Sequence, residues 1–252
     1  MTDLQLKEFI LRLGDDSLVL AQRLGEWCGH APILEEDIAL TNISLDLLGR
    51  AQNYLKLAGE LCKPVQRDDD LAFHRDADGF RNLLLVEQPN GHFGDTICRQ
   101  FLFDNFSLLL VQHITNQSVN EELAGVAAKA MKEIRYHVGH STKWILRLGQ
   151  GTAESHKKIQ GSLNNLWQYT DEMFSLDKVY AAAIESGLIP DLQDLKSQWM
   201  YNVASTINEA GLDIPSGVAM HTGGRIGNHT PHLEEMLKIM QVLPRTYPGT
   251  TW

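Results

Sequence analysis

The sequence predicts an all-α fold: a four-helix bundle made of two antiparallel helix hairpins with a long crossover, plus additional C-terminal helices. Three observations predict it. No proline falls between Pro89 and Pro190, a stretch hard to build from strands, whose turns favour Pro, Gly and Asn at short intervals. Apolar residues recur at steps of three and four over four long segments, the period of a packed helix. The segments are joined in pairs by short polar links, while residues 63 to 90 separate one pair from the other.

The first helix is expected from about Asp3 to Gly29, where Leu6, Ile10, Leu13, Ser17, Leu20, Leu24 and Trp27 form one seam. Gly29-His30-Ala31-Pro32 ends it, as Gly and Pro past a helix terminus do. The second runs from about Leu34 to Cys62 and opens with Glu35-Glu36-Asp37, acids that suit the positive end of the helix dipole. It carries two apolar stripes, Ile38-Leu45-Leu48-Leu55 and Leu40-Leu47-Ala51-Tyr54-Ala58-Leu61. A helix apolar on two sides has neighbours on two sides. The third runs from about Gly91 to Asn116 and the fourth from about Asn120 to Leu148, linked by Asn116-Gln117-Ser118-Val119-Asn120. Helices of this length span roughly 40 Å, and links this short force antiparallel neighbours. Two such hairpins and one crossover make the ferritin-like layout. Further helices are expected over 152–175, 177–186, 190–209 and 231–242, and residues 1–252 read as a single domain.

Composition narrows the function classes. With 252 residues, 43% hydrophobic and 21% charged, the chain is an ordinary globular protein rather than a disordered or fibrous one. Its net charge of -10 offers no basic surplus to displace phosphate counterions, which argues against nucleic-acid binding. No apolar run is long enough to span a membrane, and Met1-Thr2-Asp3-Leu4 does not open a secretory leader. Cys28, Cys62 and Cys98 are widely spaced and odd in number, the pattern of reduced thiols in a cytoplasmic protein.

A ferritin-like bundle raises one chemical question, whether its core holds a di-metal site. Such a site takes a Glu from each of two helices and a Glu-x-x-His from each of the other two. None of the four long segments contains Glu-x-x-His. The nearest counterparts are Asp46-Leu47-Leu48-Gly49 and Glu133-Ile134-Arg135-Tyr136, with His137 one step late. Asp16 and Asp104 stand as the remaining carboxylates. The set Asp16, Asp46, Asp104 and Glu133 therefore reads as degenerate metal positions, with no metal ligand assigned. Each also has a plainer reading. Asp16 follows Gly14-Asp15 and suits a solvated helix carboxylate, and Asp46 shares a polar strip with Asn42, Arg50 and Asn53. Asp104 falls inside the stripe Phe93, Ile97, Phe101, Leu108 and Val111, where a lone charge costs several kcal/mol, so it needs a partner such as Lys, Arg or Tyr. Glu133 with His137 also suits a helix-surface pair.

Other motifs say less. Glu26 and His30 suit a helix-end cap. Thr222-Gly223-Gly224-Arg225-Ile226-Gly227 is glycine-rich but lacks the ending of a phosphate loop. His221, His229 and His232 lack the company of a zinc site and read as loop and cap residues. No Gly-x-Ser-x-Gly elbow supports a nucleophile. The tail from Leu243 to Trp252 is apolar and broken by proline, suited to docking on a partner or on its own body.

Several strings resemble one family. They are Arg12-Leu13-Gly14-Asp15, the run from Gln22 to Pro32, Leu45-Asp46-Leu47-Leu48-Gly49, the run from Asn82 to Gly91, Lys132-Glu133-Ile134-Arg135-Tyr136-His137 and Thr222-Gly223-Gly224. Together they resemble the structural C subunits of bacterial phenylacetyl-CoA 1,2-epoxidases, over essentially the whole chain. The resemblance implies a non-catalytic, cytoplasmic subunit of a multicomponent monooxygenase in aerobic phenylacetate degradation. It implies a stable hetero-oligomer with the catalytic A subunit, which is similar in fold. That partner holds the di-iron cofactor, none is bound here, and a separate flavin and iron–sulfur reductase supplies electrons as one of the other components of the complex.

For this chain it suggests holding the partner in shape and sheltering phenylacetyl-CoA. For the CoA part, the crossover segment Gly79-Phe80-Arg81-Asn82 offers an aromatic, a guanidinium and an amide beside Arg75. Ala181-Ala182-Ala183 offers small side chains that let a ligand approach. Both segments are equally compatible with helix packing. Two readings of other classes stand beside this one: an active ferritin-like metal-dependent oxidase with an atypical, carboxylate-rich site using Asp46, Asp104, Glu133 and His137, and a free-standing helical binding module.

Overall fold

A computed structural model describes residues 1–118 and 120–250. Among them there are eleven α-helices and no strand, so the chain is all-α and of the ferritin-like class. In order, α1 is Asp3–Gly25, α2 Leu34–Glu60, α3 Asp68–Phe73, α4 Leu84–Glu87, α5 Phe93–Gln117 and α6 Glu121–Gly149. They are followed by α7 Ala153–Leu166, α8 Lys178–Glu185, α9 Leu192–Glu209, α10 Pro231–Met240 and α11 Val242–Thr246. The long helices agree with the sequence to within a few residues at each end. The expected helix over 152–175 stops at Leu166 and continues as two short 3₁₀ turns. Of the link between the third and fourth helices, Val119 lies outside the described residues, as do Thr251 and Trp252 of the apolar tail.

The chain forms two compact units. The first holds Met1–Pro89 and the chain from Gly223 onward, the second Asn90–Thr222. Each contains one of the long hairpins.

In the first unit α1 packs along α2. Thr2 and Gln5 close a capping box, the Thr2 hydroxyl accepting from the Gln5 N–H and the Gln5 side chain accepting from the Thr2 N–H. This reciprocal pair satisfies donors that a helix start leaves bare. Beyond it α1 is buried without a break from Phe9 to Ala21. Only one of the two stripes on α2 is covered: Leu40, Leu47, Ala51, Tyr54 and Ala58 are buried. Ile38, Leu45 and Leu48 of the other stripe stay exposed while its last member, Leu55, is buried.

Tyr54 illustrates the energetics of this core. Its ring is fully enclosed, and its hydroxyl has no hydrogen-bond partner among the described residues. Burial pushes the phenol up from 10.0 to about 12, with Arg50 pulling slightly the other way. The folded chain therefore keeps a proton that the unfolded chain releases, so stability falls as pH rises from about 10 to 12. We expect a loss of order 2–3 kcal/mol across that window, since one pKa unit is about 1.4 kcal/mol. Ultraviolet titration of tyrosinate should show the Tyr54 phenol ionising together with unfolding. Ionisation at the ordinary phenol value in an intact fold would contradict the burial argument.

In the second unit α5 and α6 pair, with α7 and α9 against α5. Asn120 caps α6 by accepting from the Leu123 N–H at 2.8 Å. Aromatic rings fill the interior. Phe174 stands edge-on to Phe106 at 5.7 Å and 5.4 Å from Trp199, whose indole N–H donates to the Leu102 carbonyl at 3.0 Å.

Candidate functional site

The first unit encloses a run of charge. Arg12, Asp15, Asp16 and Ser17 lie close together along α1, all buried. Burial of carboxylates is expensive unless each is paired and its lone pairs are met. Asp16 is met by Arg225, whose two terminal nitrogens donate to its two oxygens at 3.0 and 2.8 Å. The Leu83 N–H donates to the same carboxylate at 2.8 Å. Burial pushes the Asp16 carboxyl up from the usual range, and Arg225 and the Leu83 N–H pull it back. Asp15 is clasped in the same forked manner by Arg75 and accepts from the Arg81 N–H at 2.8 Å. Forked guanidinium–carboxylate pairs fix orientation as well as charge.

Arg225 arrives on the glycine-rich segment, and the glycines explain how. A Cβ on Gly224 would lie 2.1 Å from the Asn82 carbonyl oxygen, and one on Gly227, at φ +85°, would lie 2.4 Å from that of Asp78. Only glycine lets two backbones approach so closely. The same segment carries His229. Its Nδ1 is 2.7 Å from Glu87 Oε2 and its Nε2 is 3.1 Å from the Phe80 carbonyl oxygen. Glu87 also accepts from Asn82 Nδ2 at 2.8 Å and from both the N–H and the hydroxyl of Thr230 at 2.7 Å. Crossover, α1 and the returning C-terminal segment are thus stitched by two buried charged centres, Asp16–Arg225 and Glu87–His229.

This assigns positions to the residues named from sequence. Phe80 and Asn82 are fully buried, and the Arg75 guanidinium lies 4.3 Å from the Phe80 ring centre. Gly79 and Arg81 are half-buried, with Arg81 donating to the Asp78 and Phe80 carbonyls and lying 3.5 Å from Glu8. In the second unit Ala182 and Ala183 of α8 are buried and Ala181 is half-buried. Arg225, Glu87 and His229 were not singled out as partners by the sequence. Nothing in the sequence pointed to them, because the burial of Asp15 and Asp16 that calls for cations appears only in the structure. His229 lies in a loop, as expected, but its side chain is buried there, with only 3% of it exposed.

Asp16 is not the solvated helix carboxylate of the plainer reading, being 3% exposed. Asp46 is half-buried on α2. In the second unit Asp104 is buried on α5 and accepts from the Ser141 hydroxyl at 3.2 Å, while on α6 His137 is buried and Glu133 half-buried. Among the described residues no three His, Cys, Asp or Glu side chains gather as a metal would require. Both Asp16 oxygens are engaged by the Arg225 guanidinium. No helix among the described residues is long and apolar enough to cross a membrane.

Comparison with known proteins gives two findings. Residues 1–252 match the model of the family described as phenylacetic acid catabolic protein. The chain is 50% identical over 248 residues to the C subunit of the 1,2-phenylacetyl-CoA epoxidase of Escherichia coli strain K12, covering 98% of this chain and 99% of that protein.

Proposed function

Because the chain belongs to the phenylacetic acid catabolic protein family, we propose that it is the non-catalytic structural subunit of a cytoplasmic phenylacetyl-CoA 1,2-epoxidase. It pairs with and stabilises the di-iron catalytic A subunit, and other components of the complex supply the electrons. The observation that carries this reading is the forked Arg225–Asp16 pair. A carboxylate held by two guanidinium nitrogens and a backbone N–H has its charge answered within the fold without a metal. The exposed side of α2, with Ile38, Leu45 and Leu48, supplies apolar surface of the kind obligate subunit interfaces bury.

For phenylacetyl-CoA we assign any contact in the crossover to Arg81, beside Gly79. Phe80 and Asn82 are enclosed, and Arg75 is committed to Asp15. The chain itself moves no electron and holds no oxygen species in this reading.

Co-expression with the catalytic subunit, followed by size-exclusion chromatography and a phenylacetyl-CoA assay with this chain included or omitted, tests the proposal. Co-elution and a loss of turnover of at least ten-fold on omission are expected. Separate elution, or full turnover without this chain, would defeat it. In the same assay Arg81→Ala should raise KM for phenylacetyl-CoA several-fold at constant kcat. Stoichiometric iron in the isolated chain would favour the rival metal-dependent oxidase.

A further inference from the structure

We propose that α2 and α3 form a socket for one amphipathic, basic helix of the partner subunit, with a large apolar side chain of that helix seated in a pocket beside Leu48. The inference rests on the subunit reading above and says which surface carries it and what chemistry fits there. Leu34, Ile38, Leu45 and Leu48 are exposed by 73, 54, 59 and 42%. With Thr41 and Gln52 they repeat at steps of four and three on one side of α2. That spacing is the seam that receives another helix, and from Leu34 to Gln52 it extends roughly 27 Å. A seam of four large apolar side chains left bare on an otherwise well-packed helix is the signature of a missing neighbour.

The pocket lies where the seam meets α3. It encloses about 240 Å³ and is lined by Leu18, Leu48, Ala51, Leu55, Ala72 and Phe73, with Gln52, Asp68 and Asp69 completing it. That volume is below the roughly 300–1,000 Å³ of small-molecule sites and suits a single side chain, the geometry of an interface anchor. Its lip is acidic. Asp68 and Asp69 have no ion-pair partner among the described residues, whereas Asp70 is engaged by Arg67. Lys56, exposed on the same side of α2, is a single cation against two carboxylates. Complementarity therefore calls for Lys or Arg next to the anchor. A second copy of this chain is disfavoured, because self-pairing would set the acidic lip against itself in a protein of net charge -10.

The test uses the full-length chain co-purified with the catalytic subunit. Leu48→Arg should weaken the pair at least ten-fold by isothermal titration. Asp68→Lys combined with Asp69→Lys should weaken it several-fold and flatten its salt dependence. Leu48 and Asp69 are exposed and Asp68 is half-buried, so the melting temperature of each variant chain alone is measured beside its affinity and should hold within a few degrees. A photo-crosslinking amino acid at Gln52 should capture a partner peptide that carries a large apolar residue beside Lys or Arg. If the subunits pair but Leu48→Arg leaves affinity unchanged, the socket is wrong and the pairing stands. If Leu48→Arg acts but the double Asp change does not, or if the captured peptide is acidic or from a second copy, the basic helix is wrong. If wild-type subunits do not pair, both readings fall together.

Discussion

Arg225→Met is expected to lower the unfolding free energy of the first unit by about 3–5 kcal/mol, the usual loss when one partner of a buried ion pair is removed. Asp16 would keep its burial and lose both nitrogens that now answer its oxygens. Two features distinguish this from a general packing defect. First, Arg225→Lys should not rescue fully, because an ammonium cannot fork across two oxygens. Asp16→Asn combined with Arg225→Met should recover a large share, since no charge is then left enclosed. Second, the defect should depend on pH. Burial already pushes the Asp16 carboxyl up, and Arg225 is the largest influence pulling it down. Without Arg225 the folded state binds a proton more readily than the unfolded chain, so the variant regains stability as pH falls from neutral toward 4. Urea unfolding followed by circular dichroism at pH 7 and pH 5 measures both. A loss below 1 kcal/mol, or a loss that is the same at both pH values, would show that the pair does not carry the fold.

Much of this architecture is legible in the sequence because long helices are local. Gly29 and Pro32 announce a stop, and the helical period names two apolar stripes on α2, of which the chain buries the one holding Leu40, Leu47 and Tyr54 and leaves most of the other exposed. The short helices α3 and α4 are not legible this way. Their few residues offer less than two turns of periodicity, and they form because the crossover must bury Leu71, Leu84 and Leu85. The charged centres escape for another reason. Asp16 and Arg225 are 209 residues apart, and nothing in either neighbourhood names the other. Composition is also ambiguous about purpose. Arg75, Phe80 and Asn82 have the chemistry to hold a thioester nucleotide, and the same chemistry builds a cation–π contact, a forked carboxylate pair and a donor to Glu87. Likewise the glycines at 223, 224 and 227, which in a sequence invite a phosphate, here permit a backbone to pass within contact of another.

Glu87→Gln is the second large effect expected, and it probes the other end of the same stitching. The carboxylate has no exposed surface, accepts three hydrogen bonds, from Asn82 and from the N–H and hydroxyl of Thr230, and lies 2.7 Å from His229 Nδ1. An amide of the same shape offers one acceptor oxygen and an NH₂ group, so the NH₂ faces the Thr230 N–H in one orientation and the Asn82 NH₂ in the other. The loss should be about 3 kcal/mol or more, since hydrogen bonds to a charged group contribute about 1.5–3 kcal/mol each and buried donors left unmet add their desolvation.

His229→Gln should cost less, because the glutamate then keeps the Asn82 and Thr230 donors. The two changes together should cost less than their sum, with a coupling above 1 kcal/mol in a double-mutant cycle. The damage should also spread along the chain. Arg225 and His229 sit four residues apart on one returning segment, and each is anchored to the crossover. Loosening Glu87 should therefore raise amide hydrogen exchange at Thr230 and at Leu83, whose N–H binds Asp16. Additive energies with exchange confined to Thr230 would mean that the two charged centres act separately. Coupled energies with exchange rising at both sites would mean that the C-terminal segment closes the first unit as a single clamp.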